Sequence, residues 1–507
     1  MEQKMKAQLF TEDRVFKDTA EIPVDMDFML PDYCPDAVKI LKCRSKVHIA
    51  AQTVSGGTVT PEGTVTVSVL YADENNRIFA FSQGFPFAKS FETGISAEEI
   101  TPECHARVEY MNCRAVTGRK IDIHGAVELC LCITARRSVE VLADYDDTQL
   151  ELRRRNVPAT TPMGTAQKYV AIEDELTVGQ GQPEICSLLR YSAEPVVTES
   201  KLLNGKNIVK GELGLWLLYA PREGKPQSVR ATLPFSQLIE IPGATDECTC
   251  NATVRVAAME IKPKIGADGE ARSFAVNGKL QICSKAYCDK EITVVTDAYS
   301  RKCETEIVST EVDIRQMHRV LEETCRCRAV LEFPNGSPTE VLDLCCEVQN
   351  AGAAFGEKDI TVSGTVMAAL LVFGEKGCPE YYEKPIEFSC KYPIESVENA
   401  SCDPVVTVKN CSYSLDGEGK AEIRIELCIR AAIMLSRHCR VVSDLAAYPE
   451  RPLEEPDRGA MTLYFASSGE SLWDIARKYH AGVAEIAALN DVEDVLTENK
   501  MLMIPMM

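Results

Sequence analysis

Twenty-two cysteines and six histidines are the side chains of this 507-residue sequence with the most chemistry to offer. A thiolate is a nucleophile and a soft-metal ligand, and an imidazole beside it is what usually activates it. His105 follows Cys104 and His438 precedes Cys439. Neighbours along a strand point to opposite faces, so neither couple is expected to act as a pair. Cys130/Cys132, Cys248/Cys250 and Cys325/Cys327 form C-x-C pairs, and Cys345 adjoins Cys346. Structural zinc sites favour longer spacings with companion histidines, so these thiols are expected to be small core hydrophobes, with no metal and no cofactor. The sequence contains no P-loop, no HExxH, no GxSxG elbow and no GxGxxG after a strand, so no catalytic residue is assigned and an enzyme is not expected.

Positioning these residues is a unit that occurs three times. Gly63, Gly211 and Gly364 open matching segments, with Pro86, Pro234 and Pro385 following 23, 23 and 21 residues later. Further on, VELC, LQIC and IELC end at Cys130, Cys283 and Cys428, and Asp144, Asp297 and Asp444 follow 14, 14 and 16 residues beyond. Just past a strand, those aspartates are expected to cap turns. A period near 150 residues is the length of a domain rather than of a solenoid turn. Val65, Val67 and Val69 alternate with Thr64, Thr66 and Ser68, the pattern of an antiparallel strand with one buried face. Turn-rich stretches such as Asp73 to Asn76 and Asp416 to Gly419 separate the strands, and helical periodicity is scarce. The expected fold is mainly β, with three repeated β-sandwich-like domains at 28–150, 172–305 and 322–448. Residues 1–27 read as an N-terminal segment, Arg153 to Thr165 as a linker or docking strap, Ser309 to Leu321 as a short helix, and 449–460, rich in proline and acid, as a solvated linker.

Hydrophobic residues at 45% and charged residues at 26% match folded globular proteins. A net charge of −21 makes nucleic acid and anionic lipid poor partners. The first residues lack an apolar signal region, and the longest apolar runs, such as Val366 to Phe373, are too short to cross a bilayer. The expectation is a cytoplasmic protein with reduced thiols and no transmembrane segment.

Residues 461–507 follow a different pattern, strand, helix, helix, strand. Ser471 with Asp474 three residues on suggests a capping box, and Leu472, Ile475, Ala476 and Tyr479 fall at i, i+3, i+4 and i+7. A second helix is expected from about Val483 to Leu489, closed near Asn490. Tyr464, the GESLWDIA run from Gly469 to Ala476, Tyr479, Val483, Ile486, Leu489-Asn490 and the LMIP ending at Leu502 to Pro505 resemble the LysM domain, a module that in many proteins binds N-acetylglucosamine polymers such as peptidoglycan. The resemblance implies a groove between the loop at the first helix start and the loop after the second helix. That maps to Gly469, Glu470, Ser471, Leu472, Asn490, Asp491, Val492 and Asp494. Four carboxylates crowd the second loop, and Thr497-Glu498-Asn499 replaces the common Pro-Gly. This charge favours a basic protein over a neutral sugar, with Leu472 as the expected apolar anchor and Trp473 as core.

The three repeats with a C-terminal LysM resemble SPOCS-domain spore-coat morphogenesis proteins of anaerobic spore formers. LPDYCPDAVKILKC (Leu30 to Cys43) is similar to the family's opening signature, and TDAYSRK (Thr296 to Lys302) to a closing one. The resemblance implies a non-enzymatic scaffold on the mother-cell side of the developing spore, docked through its LysM module onto the coat basement-layer ATPase and joined to other coat proteins. The alternative is a peptidoglycan-binding protein of the cortex or cell wall.

Overall fold

The alternating residues are where period two puts them. In a computed structural model describing residues 4–95, 100–267, 269–394, 399–417, 419–453 and 461–505, Val65, Val67 and Val69 are buried, and Thr64, Thr66 and Ser68 are half-buried. Leu213, Leu215 and Leu217 are buried in the second copy, and Val366, Ala368 and Leu370 in the third. Each fully buried Val or Leu contributes about 1.5–3 kcal/mol relative to exposure.

The first copy comprises β1 (Lys4–Met29), β2 (Lys39–Ser55), β3 (Thr58–Ala72), β4 (Ile78–Ala88), a two-residue β5 (Phe91–Glu92), β6 (Ile100–Ala115) and β7 (Lys120–Tyr145). Its two antiparallel sheets, β1-β7-β6 and β2-β3-β4, face each other across an apolar core. The second copy repeats the plan with β8 (Leu150–Thr177), β9 (Ile185–Leu203), β10 (Lys206–Pro221), β11 (Gln227–Glu240), β12 (Thr249–Ile265) and β13 (Ala271–Ser300), paired as β8-β13-β12 and β9-β10-β11. The third has β14 (Cys303–Glu332), β15 (Glu340–Phe355), β16 (Asp359–Phe373), β17 (Pro379–Pro393), a two-residue β18 (Ala400–Ser401), β19 (Val405–Leu415) and β20 (Lys420–Pro452). There β14 and β19 flank β20, and β15-β16-β17 forms the second sheet.

The copies therefore begin earlier than the sequence repeats suggest, at residues 4, 150 and 303. Residues 4–27, expected to stand apart, pair with β7 along their whole length. Arg153 to Thr165 is part of β8 rather than a linker. Its Pro158 and Pro162 are tolerated because β8 is an edge strand, where a missing N–H leaves no ladder bond broken. Ser309 to Leu321 is strand rather than helix, with Val312 and Ile314 buried at alternate positions. Residues 449–452 continue β20, and 454–460 of the expected linker lie outside the described residues.

Gly63, Gly211 and Gly364 recur for a steric reason. Each stands directly opposite a phenylalanine, Phe87, Phe235 or Phe388, always 24 residues later. A Cβ on these glycines would meet a carbonyl of the neighbouring strand at 2.1–2.3 Å and the phenyl ring at 2.9 Å or less.

Three apolar clusters join the copies. In one, Leu70, Leu218 and Leu371, each seven residues beyond its glycine, meet Leu189, Leu342 and the half-buried Leu41, the bulged residues of β9, β15 and β2. Two others lie along the long strands β1, β7, β8, β13, β14 and β20. Beside the leucines runs a partly buried ionic seam. Arg190 Nε donates to Asp343 at 2.7 Å, Arg44 pairs with Glu347 at 3.2 Å, and Lys46 Nζ donates to the Tyr191 carbonyl at 3.3 Å. Burial pushes the Glu194 carboxyl up to about 7, opposed by the Lys46 ammonium.

Two disulfides, Cys248–Cys288 and Cys325–Cys390, correct the expectation of uniformly reduced thiols. Cys250 pairs with Ala286 across β12 and β13, which sets Cys248 opposite Cys288. The second bridge ties β14 to β17, across the two sheets of the third copy. Cys104 lies in the core and His105 is exposed, on opposite faces of β6.

Candidate binding groove of the C-terminal module

The module is a two-stranded antiparallel sheet, β21 (Met461–Ala466) and β22 (Lys500–Pro505), covered on one face by α1 (Leu472–Tyr479) and α2 (Val483–Asn490). Leu472, Ile475, Ala476 and Ile486 pack on Leu502 and Ile504 from the sheet. His480 closes α1 in the left-handed conformation (φ 52°). Asp491 (φ 50°), not Asn490, does so for α2. Asn490 instead lies buried and ties the helix to β22: Nδ2 donates to the carbonyls of Ile486 (2.9 Å) and Met503 (2.8 Å), and Oδ1 accepts from Met503 N–H (2.7 Å).

The structure brings the two expected loops together. Gly469 N–H donates to Leu496 O (2.7 Å), Leu496 N–H to Glu470 O (3.1 Å), and Leu472 N–H to Asp494 O (2.7 Å), while Ser471 bridges to Val495. Gly469 permits the turn with φ 90°, open to few other residues. Ser471 is extended at the start of α1, but its hydroxyl caps no N–H and stays buried without a partner among the described residues, so no capping box forms. Glu470 is spent locally, its carboxylate accepting from Tyr464 OH (3.2 Å) and Ser467 N–H (3.0 Å). Leu472 is only 1% exposed, a core residue rather than an anchor for a partner. A side chain at the first position of α1 that follows Gly-Glu-Ser turns inward because it must cover the sheet. Asp491 and Asp494 are exposed and Val492 is half-buried.

A second constellation was not foreseen. The module is seated on the end of the second copy. Asp297 Oδ1 accepts from Ala298 N–H (3.0 Å), and its Oδ2 accepts from Trp473 Nε1 (2.8 Å) and Arg477 Nη1 (2.6 Å). Tyr299 joins the module's core, donating from its hydroxyl to Ala481 O (2.6 Å), and burial pushes its phenol up. Arg301 pairs with Glu485 (2.7 Å), and the Arg153 guanidinium lies over the Trp473 ring. The aspartates at the equivalent position keep the backbone contact but spend the rest elsewhere, Asp144 on Arg154 and Asp444 on Lys4. Both carboxyls are held below the usual range by those cations. The signal was present in Tyr299, which has Asp146 and Ala446 as its counterparts.

Comparison with known families finds likenesses in three segments. The model described as "SipL, SPOCS domain" matches residues 36–116 and 184–264, and that of the LysM domain matches 467–502. Two segments of the chain are thus similar to the SPOCS domain and one to the LysM domain. No curated protein and no solved structure matches it. The SPOCS matches cover β2 to β6 of the first copy and nearly all of β9 to β12 of the second, while the third copy shares their strand plan. SPOCS and LysM domains are typically non-catalytic binding modules, which suggests a sporulation-related, peptidoglycan-binding protein, and neither match is to an enzyme family. Among the described residues, no helix is long and apolar enough to cross a membrane.

Proposed function

We propose that this protein is a non-enzymatic scaffold of the developing spore surface, held on the mother-cell side by docking of its LysM module onto the coat basement-layer ATPase. The observation that supports docking on protein is the charge left facing outward. Asp491, Glu493, Asp494 and Glu498 are exposed around the groove. The module's three basic side chains are occupied: Arg477 on Asp297, Lys478 over the Tyr464 and Tyr479 rings, and Lys500 on the carbonyls of Asn490 and Asp491. A neutral sugar gains little from such a field, whereas a basic protein surface gains steering and specificity. The three copies, closed on one another through shared clusters, suit the body of a scaffold that holds further coat proteins.

The test is binding of the whole chain to purified coat ATPase and to purified peptidoglycan, with and without charge reversal at Asp491 and Asp494. ATPase binding that the reversal weakens supports the scaffold. Tight peptidoglycan binding that the reversal leaves unchanged replaces it with the second reading, a cortex or cell-wall protein. That reading draws on the match of residues 467–502 to the LysM domain and on the two loops held side by side at the start of α1 and the end of α2.

A further inference from the structure

The face of the module's sheet turned away from its helices carries a contiguous exposed apolar surface. On β21, Met461, Leu463 and Phe465 alternate outward, 50%, 56% and 77% exposed. On β22, Met501 stands directly opposite Phe465 and is 50% exposed, and half-buried Met503 stands opposite Leu463. A solvated strand face normally carries polar residues. Contiguous apolar faces of this kind mark contact sites, and methionine suits them because it repacks easily. The module's contacts with the second copy run through α1, α2 and the turn between them, so seating leaves this face open.

We propose that Met461, Leu463, Phe465 and Met501 form the seat of a partner protein whose own surface has an apolar centre and a basic rim. The inference rests on the docking function above and assigns the apolar centre of that docking to the sheet face, with the exposed acids of the groove loop supplying the charge. Charge selects the occupant. The segment 461–507 holds seven carboxylates against three Lys or Arg, and those three cations are engaged within the chain. An anionic bilayer is repelled by that excess, as is a second copy of this chain at net charge −21. A protein that presents cations around an apolar patch gains both desolvation of the methionines and phenylalanine and complementary charge at the edge.

The experiment measures binding of the whole chain to purified coat ATPase, comparing the wild type with Leu463→Ser/Phe465→Ser, with Met501→Gln, and with Asp491→Lys/Asp494→Lys. Circular dichroism melts check that each variant keeps the fold. The expected result is at least a tenfold loss of affinity for the double serine variant, about the effect of removing a hot spot, smaller losses for Met501→Gln and for Asp491→Lys/Asp494→Lys, and weaker wild-type binding at higher salt. If the wild type binds and both apolar variants bind equally well, the sheet face is not the seat, and the docking function survives without it. If the wild type fails to bind, the docking function falls and this assignment falls with it. Self-association of the wild type in sedimentation, abolished in the double serine variant, makes a second copy the occupant and overturns the proposal. Uptake onto anionic vesicles abolished in the same variant overturns it equally.

Discussion

Within each copy, equivalent buried positions keep their character, whereas at the junction between copies they diverge. Val65, Leu213 and Val366 do one job three times, and so do Val67, Leu215 and Ala368. The seam residues opposite Leu70, Leu218 and Leu371 are Lys42, Arg190 and Asp343, and four positions further along they are Lys46, Glu194 and Glu347. Three identical copies would stack three like charges in a partly buried seam, where Coulomb repulsion is poorly screened. A single chain is free to give each copy a different side chain, so the seam becomes attractive and each copy has one place. The cores thus specify what a copy is, and the seam specifies which neighbour it meets.

The contrast breaks most severely from the core side. Gly364→Val drives a side chain into Asn350 O, which already lies 2.1 Å from where a Cβ would be, and is expected to cost more than about 4 kcal/mol. Gly352→Val, with open space around it, is expected to stay within about 1 kcal/mol. Urea unfolding of residues 303–452 produced alone measures both, and a cooperative β-type transition there also tests whether a copy folds by itself. A mostly helical spectrum from that segment would refute its autonomy as a β domain.

From the seam side, Asp343→Leu leaves the Arg190 guanidinium buried and unpaired, at an expected cost of about 3–5 kcal/mol. Arg190→Met/Asp343→Leu is expected to recover most of it, because an ion pair replaced by apolar side chains leaves no orphan charge. A thermodynamic cycle on the whole chain reads the coupling, and additive losses would show that the two residues do not act as a pair.

Glu194 sharpens the same contrast through pH. Its folded carboxyl titrates near 7, above the ordinary 4.5, because burial disfavours the charge. Its contribution is therefore fully present below about pH 4.5 and lost as pH rises through 7. The unfolding free energy of Glu194→Gln relative to the wild type is expected to grow by up to about 3 kcal/mol between those limits and then level off. A difference that is flat with pH would place the Glu194 titration in the ordinary carboxylate range.

The smallest effect separates two aspartates at one repeat position. Asp297→Asn is expected to weaken seating of the module by about 1–2 kcal/mol, read as faster hydrogen exchange in α1 and faster proteolysis between residues 453 and 461. Asp444→Asn loses only an exposed pair with Lys4 and is expected to change neither by more than about 0.5 kcal/mol.

Legibility in the sequence follows from the same division. Residues facing one core alternate cleanly, and β3, β7, β10 and β16 were readable because of it. The first strand of each copy was not, since β1, β8 and β14 are edge strands whose remaining face meets other copies, mixing polar and apolar residues without a clean period. Three arginines and two prolines then made β8 read as a linker, although Arg153 and Arg154 do reach the module and the first copy. In the groove, the two loops were readable as neighbours from the module's pattern, but the inward turn of Leu472 and the seat on Asp297 and Tyr299 depend on contacts that only the fold creates.

The route of the chain through its last seat has a mechanical consequence. The segment leading to the module leaves from the third copy at Leu453, yet the module grips the second copy at Asp297, Tyr299 and Arg301. The copies themselves are joined by only four residues after Tyr145 and two after Ser300. A pull applied at the module is therefore shared between two copies from the first instant, one loaded through the backbone and the other through a side-chain contact. The contact at Asp297, Tyr299 and Arg301, a few hydrogen bonds and one ion pair, should yield before any sheet does, acting as a replaceable fuse that lets the body of three copies survive.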